Sequence, residues 1–389
     1  MLQIFHIIIP ALLAFIGTLW VHPKILKIAI MKNLVDNPDA RKLQRNPVPV
    51  MGGIAVFFGV IIGLCCTQTM FYRSDVFLLV SSMLVMLYVG TIDDILDLSP
   101  TTRFFIEILI VLWLIYVNNT SIDSLWGLWG VDNTLPAWLS WPLTVFAAVG
   151  IINAINLIDG VNGLSSGFCF MASVLFATIF YSTGNITMTI LAVSAAGAII
   201  PFFFHNVFGE KTKMFIGDGG TLFIGTMMSI FVIDILHSNS MCRQLADCGI
   251  GIVPMTLSIL SIPVFDTLRV MSMRILRGTS PFHPDRTHLH HIFLELGFSH
   301  VGTTVSILTL NFLVVASWYL SYRLGASVDT QFYVVLALSI FVTFVFYKFA
   351  STQVKRDGRW LKILKRLGKK MNFEKKGFWL KVQKWVDKL

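Results

Sequence analysis

Two adjacent aspartates, Asp93 and Asp94, close an apolar stretch that runs from about Val76 to Ile92. Carboxylates in that position are costly to bury and repel each other unless a cation lies between them, and their hard oxygens suit Mg²⁺. A second cluster, Asn153, Asn156, Asp159 and Asn162, ends another apolar segment. Asn156 and Asp159 are three apart, so they share one face of a helix. Gly160 and Gly163 then break that helix and let backbone approach a ligand. His205-Asn206 ends a third segment, and Phe215-Ile216-Gly217-Asp218-Gly219-Gly220-Thr221 opens a fourth. Asp218 at a helix N-terminus fits a metal–phosphate site, with a simple N-cap aspartate as the plainer reading. Last, residues 281–291 gather His283, Asp285, Arg286, His288, His290 and His291. Such a run suits phosphate recognition or proton handling; a transition metal is the alternative.

The elements that carry these clusters are hydrophobic. The chain has 389 residues, 55% hydrophobic and 13% charged, with a mean hydropathy of +0.75. No soluble domain of that size has such a composition. Eleven spans are predicted, at about 4–22, 50–66, 75–92, 101–118, 138–156, 164–182, 186–205, 214–236, 250–273, 302–321 and 329–348. The fold class is therefore an all-α integral membrane protein. Residues 1–350 form one polytopic domain and 351–389 a basic cytoplasmic tail. The first span has no basic leader and no small-residue cleavage site, so it reads as a span rather than a signal peptide.

Threading the spans alternately puts 27 of the 30 Lys and Arg residues on one side, leaving Arg73, Arg243 and Arg323 on the other. The positive-inside rule makes the rich side cytoplasmic, with the N-terminus outside and the C-terminus inside. All the polar clusters then share the cytoplasmic face. This sorting accounts for the net charge of +9, which removes the reason to infer a nucleic-acid partner. In the tail, basic residues alternate with Trp360, Leu361, Leu364, Leu367, Phe378, Trp379, Val382 and Trp385, predicting one or two amphipathic helices on an anionic leaflet. Of the five cysteines, Cys242 and Cys248 share an outer loop; unpaired thiols are the expectation, a disulfide the alternative. The first inner loop carries Arg41 and Lys42, then Pro47 to Gly53, where basic residues and glycines at a helix start suit a phosphate-bearing ligand.

Taken in order, the Pro-Gly-Gly loop, the Asp-Asp pair, Asn-x-x-Asn-x-x-Asp-Gly, Gly-Asp-Gly-Gly and the histidine loop resemble the polyprenyl-phosphate N-acetylhexosamine-1-phosphate transferase superfamily over nearly the whole chain. The form Pro-Asp-Arg-Thr-His-Leu-His-His resembles the branch that initiates O-antigen, enterobacterial common antigen and teichoic acid synthesis. The resemblance implies transfer of a HexNAc-1-phosphate from a UDP-sugar to undecaprenyl phosphate at the cytoplasmic face of a bacterial inner membrane. It implies Mg²⁺, with Mn²⁺ as the substitute ion, and a homodimer. It assigns Asp93 and Asp94 as the catalytic acids, Asp218 as the principal metal ligand with Asp94 beside it, and Asn156, Asp159 and Asn206 to the nucleotide region. Asn153, Asn162, Arg41, Lys42, Asp285, Arg286, His288, His290 and His291 complete the expected substrate contacts. One departure is Asn162, where relatives commonly carry aspartate.

The chemistry is sound in itself. A lipid phosphate attacks the β-phosphorus of a nucleotide sugar and UMP leaves, a reaction governed by charge neutralisation and alignment. The acceptor's second pKa is roughly 6, so it is largely a dianion at neutral pH and needs no strong base. Direct attack, with Asp93 orienting or deprotonating the acceptor, is preferred to an aspartyl-phosphate intermediate. GlcNAc-1-phosphate is the favoured cargo; phospho-MurNAc-pentapeptide or a deoxy-aminosugar are the alternatives. A membrane transporter is the rival from another class, but its acids belong near the bilayer midplane, whereas these clusters crowd one face.

Overall fold

The structure is a computed structural model that describes residues 2–36, 47–65, 74–282, 285–374 and 377–388. Arg41, Lys42 and His283 lie outside the described residues. Helices dominate: α1 (Leu2–Met31), α2 (Gly52–Cys65), α3 (Ser74–Leu96), α4 (Pro100–Asn118), α5 (Ala137–Leu157), α6 (Leu164–Ser182), α7 (Ile186–Phe208) and α8 (Gly217–Leu236) form the first part. A short helix, α9 (Arg243–Ala246), leads to α10 (Ile252–Ile259) and α11 (Ser261–Leu276). Then follow α12 (Leu289–Glu295), α13 (His300–Arg323), α14 (Val328–Ile340) and α15 (Tyr347–Arg356), the last two joined by a π-helical segment, Phe341–Phe346. Two tail helices, α16 (Leu361–Lys370) and α17 (Phe378–Val386), end the chain.

Among the described residues, nine helices are long and apolar enough to cross a membrane, or ten if α10 and α11 count as one broken span. The predicted second span appears as the 14-residue α2, below that length. Local sequence explains the boundaries. Ser99 caps α4 by accepting from the Thr102 N–H, Pro100 sits in its first turn, and Asn119 takes the left-handed conformation that stops it. Asn185, Ser299 and Ser327 cap α7, α13 and α14 in the same way.

The helix α8 is the hub of the bundle. It is buried along almost its whole length, against α3, α5 and α2. Close approach there depends on glycine. A Cβ on Gly53 of α2 would lie 2.3 Å from the Gly220 Cα, and one on Gly90 of α3 would lie 2.4 Å from the Asp218 carbonyl. A two-stranded antiparallel ribbon, β1 (Val35–Asp36) with β2 (Val48–Pro49), feeds into α2. The chain just after it fastens to the approach to α8: Gly52 N–H donates to Phe215 O and Gly53 N–H to Ile216 O.

Three expectations need correction. The span predicted at 250–273 is two helices that meet at Leu260 with a 77° bend. Asn311 of α13 makes the break tolerable in a low-dielectric interior. Its Oδ1 accepts from Ile262 N–H at 3.0 Å and from Ser261 Oγ, while Nδ2 donates to Ile259 O at 2.9 Å. The first helix does not stop near residue 22 but runs through Pro23 to Met31. The tail does form two helices, yet one face of each packs on the protein: Leu361 and Val386 are buried, and Trp379 lies 4.5 Å from the Phe208 ring. Asp387 beyond α17 accepts from the N–H groups of Glu210, Lys211 and Thr212. Cys242 and Cys248 are unbridged, as expected.

Asn311→Leu should strand the Ile259 carbonyl and Ile262 amide, costing about 1–3 kcal/mol for each unsatisfied buried group. A detergent-solubilised thermal melt should show the loss, and an unchanged melting temperature would refute the capping role.

Candidate active site

A cavity of about 840 Å³ opens among the ends of α3, α4, α5, α8, α11 and α12. Asp93, Asp94, Asn153, Asn156, Asp159, Asn162, Asn206, Asp218, Asp285, His288, His290 and His291 all line it. Clusters up to two hundred residues apart in sequence thus share one chamber. Arg286 is not among the lining residues, and Arg41 and Lys42 fall outside the described chain.

The acidic end is organised around the N-terminus of α8. Asp94 Oδ1 accepts from Asp218 N–H at 2.9 Å and Oδ2 from Gly219 N–H at 3.2 Å. A carboxylate from α3 thereby satisfies donors that a helix N-terminus leaves open, and its charge is favoured by the helix dipole. Asp94 was expected among the metal ligands; in this structure each of its oxygens accepts one α8 amide, so it also fastens α8 to α3. The other two carboxylates converge on a cation supplied by the chain. Arg103 Nη1 lies 3.0 Å from Asp93 Oδ2 and 3.2 Å from Asp218 Oδ2. The second oxygen of Asp93 accepts from Leu98 N–H at 2.8 Å, and that of Asp218 from Asn156 Nδ2, also at 2.8 Å.

Arg103, read from sequence only as a topology marker, is the counter-charge of the site. One turn along α4, Glu107 is fully buried, 3.7 Å from Arg103 Nε, and takes a hydrogen bond from Asn153 Nδ2. Asn153 therefore holds Glu107, while its second donation goes to Val149 O. Arg103 lay hidden in the sequence because it stands ten residues past the Asp-Asp pair, beyond a helix break. The i,i+4 spacing of Arg103 and Glu107 inside an apolar helix was the available signal.

Several residues expected to touch substrate also brace the fold. Asn206 accepts from Gly163 N–H and donates to Met214 O, pinning two loops together. The Asn162 main chain meets His300 Nδ1 and Thr304 Oγ1. The Gly52 and Gly53 amides, expected to face a phosphate, are spent on the chain before α8. Asp159 opens into the cavity and accepts from Ser165 Oγ. The surrounding protein, with the Asp218 charge adding to it, lifts its carboxyl to about 6.

Across the cavity stands the histidine loop. Burial acts to raise the Asp285 carboxyl, but hydrogen bonds from Arg274 and Thr287 outweigh it and hold the group below the usual carboxylate range. Burial and the neighbouring His288 and Arg286 lower His291 to about 4; burial lowers His290 as well. Both imidazoles are therefore neutral near pH 7 and act as hydrogen-bonding groups rather than fixed cations. Lys213, Arg274 and His300, none singled out from the sequence, complete the polar lining.

Among the described residues, no three His, Cys, Asp or Glu side chains are grouped as a metal centre. The donor set nevertheless fits a hard cation that keeps several water or phosphate ligands. Asp93 and Asp218 aim one oxygen each at a single cationic nitrogen, and Mg²⁺ is commonly held by one or two carboxylates with substrate phosphates.

Because Gly90 sits against the Asp218 backbone, Gly90→Ala should push α3 from α8 and pull Asp94 off its two amides. Catalysis should fall by tenfold or more, about 1.4 kcal/mol at the transition state, in protein that still inserts. Wild-type turnover in Gly90→Ala would contradict that dependence.

Residues 76–236 match the family model described as glycosyl transferase family 4. An undecaprenyl-phosphate alpha-N-acetylglucosaminyl 1-phosphate transferase of Yersinia pestis is 29% identical over 343 residues, covering 87% of this chain and 90% of the relative. A probable undecaprenyl-phosphate N-acetylglucosaminyl 1-phosphate transferase of Bacillus subtilis (strain 168) is 26% identical over 88% of this chain and 92% of its own length. The Escherichia coli O157:H7 protein of the former name is 27% identical, over 87% and 89%. Residues 76–236, which hold Asp93, Asp94, Asn156, Asp159, Asn206 and Asp218, are thus the part of this chain that is similar to glycosyl transferase family 4 proteins.

Proposed function

We propose that the protein is a phosphotransferase that moves N-acetylglucosamine-1-phosphate from UDP-N-acetylglucosamine to undecaprenyl phosphate, with Mg²⁺, at the cytoplasmic face of a bacterial membrane. The observation that carries this reading is the convergence of Asp93, Asp218 and Arg103 at one end of a chamber whose other end bears the histidines. The names of the relatives point to the same chemistry. The sorting of 27 of 30 basic residues to one side supports the cytoplasmic placement.

In the reaction, a non-bridging oxygen of the lipid phosphate attacks the β-phosphorus of the sugar nucleotide. The bond from that phosphorus to the bridging oxygen breaks, and its electron pair leaves with UMP. Asp218 and Asp93 would hold Mg²⁺, which supplies charge neutralisation for the diphosphate. Asn156 keeps the Asp218 carboxylate aimed, and Asp94 fixes the backbone beneath it. With Asp93 and Asp218 engaged by a metal, Arg103 would be free to neutralise phosphate charge. Neutral His290 and His291 offer directional hydrogen bonds without adding a fixed positive charge to the site. The polar groups gather at helix ends rather than along a path through the bundle, which disfavours a transporter.

The decisive experiment gives purified protein a panel of UDP-sugars with undecaprenyl phosphate and measures UMP release with and without Mg²⁺. UDP-N-acetylglucosamine should be the preferred donor, and Asp218→Asn should lower release a hundredfold or more, about 2.7 kcal/mol. Release unaffected by chelation, or wild-type rates in Asp218→Asn, would refute the metal assignment. Solute flux in proteoliposomes with no UMP would refute transfer itself.

A pH profile adds a separate check. Asp159 takes up a proton as pH falls through about 6, and the acceptor phosphate does so in the same range. If the Asp159 carboxylate contacts substrate, activity falls on the acid side with a steepness approaching two protons. Asp159→Asn should reduce that to one; an unchanged limb would remove Asp159 from the substrate contacts.

A further inference from the structure

Behind the histidine loop lies a buried ion-pair network that the acidic end does not use. Asp266, on α11 beyond the 77° bend, is buried and saturated. It accepts from Arg269 Nη2 at 2.7 Å, faces His288 Nδ1 at 3.0 Å, and receives the Leu289 N–H at 3.2 Å on each oxygen. Arg269 donates onward to Thr287 O at 2.6 Å, and its guanidinium lies 3.7 Å from the centre of the Tyr347 ring. The carboxylate thus has a guanidinium on one side and an imidazole on the other.

That arrangement sets the state of the imidazole. An ionised carboxylate can only accept, so the His288 nitrogen facing Asp266 must carry the hydrogen. In the neutral ring, Nε2 is then left with a lone pair. Nε2 is buried and has no hydrogen-bond partner among the described residues, while His288 lines the cavity. A buried nitrogen beside a substrate-sized chamber is costly to leave unpaired, so a ligand group that completes it gains by doing so. Arg269 alone would satisfy Asp266 as a charge; the bond to His288 Nδ1 is the contact a purely structural pair would not need.

We propose that Asp266 is a positioning residue of the transfer site: it fixes His288 as the Nδ1–H tautomer, so that Nε2 faces the cavity as an acceptor for a proton-bearing group of bound substrate. This rests on the transfer reading above. Asp266 itself touches no substrate; it acts through His288, and its cap on the first amide of α12 keeps the loop in register.

The test uses the full chain in lipid nanodiscs with ¹⁵N-labelled histidine. The wild type should give a neutral imidazole resonance pair with protonated Nδ1 that is absent in His288→Gln. In Asp266→Asn an amide can donate to Nδ1, and the pair should invert to the Nε2–H form. UMP release should fall about a hundredfold in Asp266→Asn, in kcat with KM within about threefold, on the precedent of tautomer inversion in a buried Asp–His pair. The double variant Asp266→Asn/His288→Gln should be no slower than the slower single variant, since coupled residues are not additive. Asp266→Glu, which keeps the charge opposite Arg269, should recover part of the rate and serves if Asp266→Asn fails to fold. Losses that multiply in the double variant, or an unprotonated Nδ1 in the wild type, would overturn the proposal. A wild type that releases no UMP would sink the transfer reading instead, and the tautomer would still be decided by the spectra.

Discussion

The N-terminus of α8 is held by a carboxylate from another helix, and the site is built outward from that bond. Asp94 lies one helix away from the amides of Asp218 and Gly219, and it reaches them only because Gly90 lets α3 lie against the α8 backbone. On the opposite side, Gly53 gives α2 the same closeness, and the Gly52 and Gly53 amides fasten the strand before α8. Two glycine contacts and one carboxylate therefore fix where Asp218 stands. Such backbone-to-backbone packing tolerates almost no error, since interiors are close-packed and a single methyl group has nowhere to go. The Gly-Asp-Gly-Gly sequence is thus as much a packing motif as a chemical one.

The polar residues that meet in the cavity were legible in the sequence because each ends an apolar helix, where a polar cluster stands out against its surroundings. Which of them face the cavity to work and which merely brace it was not legible. Asn153 and Asn206 have the same appearance in sequence as Asn156, yet their side-chain bonds go to Glu107 and to two loop backbones. An amide can serve either purpose, and only the partner decides. Arg103 and Asp266 were hidden for another reason. Each has an opposite charge on its own helix, Glu107 at i+4 and Arg269 at i+3, and so reads as a self-contained pair; the partners that tie it to the site, Asp218 and His288, are remote in sequence.

The bend between α10 and α11 escaped prediction because hydropathy sees an uninterrupted apolar run. The local signal is Pro263, which cannot donate to the Ile259 carbonyl four residues back, and the group that repairs the backbone, Asn311, is some fifty residues away. At α1 the helix outlasts the span predicted at 4–22 and passes through Pro23. A proline late in a helix removes one bond, and the apolar run from Ile25 onward continues the helix regardless. In both cases tertiary partners, which a window on the sequence does not contain, decided the outcome.

Charge balance at the acidic end explains why the chamber is suited to a divalent cation. Asp93, Asp218 and the buried Glu107 face one guanidinium, Arg103. Asp94 stands apart from that guanidinium, on the amides of α8, whose dipole favours its charge. With all three remaining groups ionised, the pocket carries two negative charges in excess, in surroundings where uncompensated charge is expensive. Protonation relieves part of that excess, and an ion of charge +2 relieves all of it without changing a side chain. On the proposed reading, a diphosphate would raise the demand for positive charge, and Arg103 would meet it if a metal engaged Asp93 and Asp218. The guanidinium that balances these carboxylates here would then serve substrate as well.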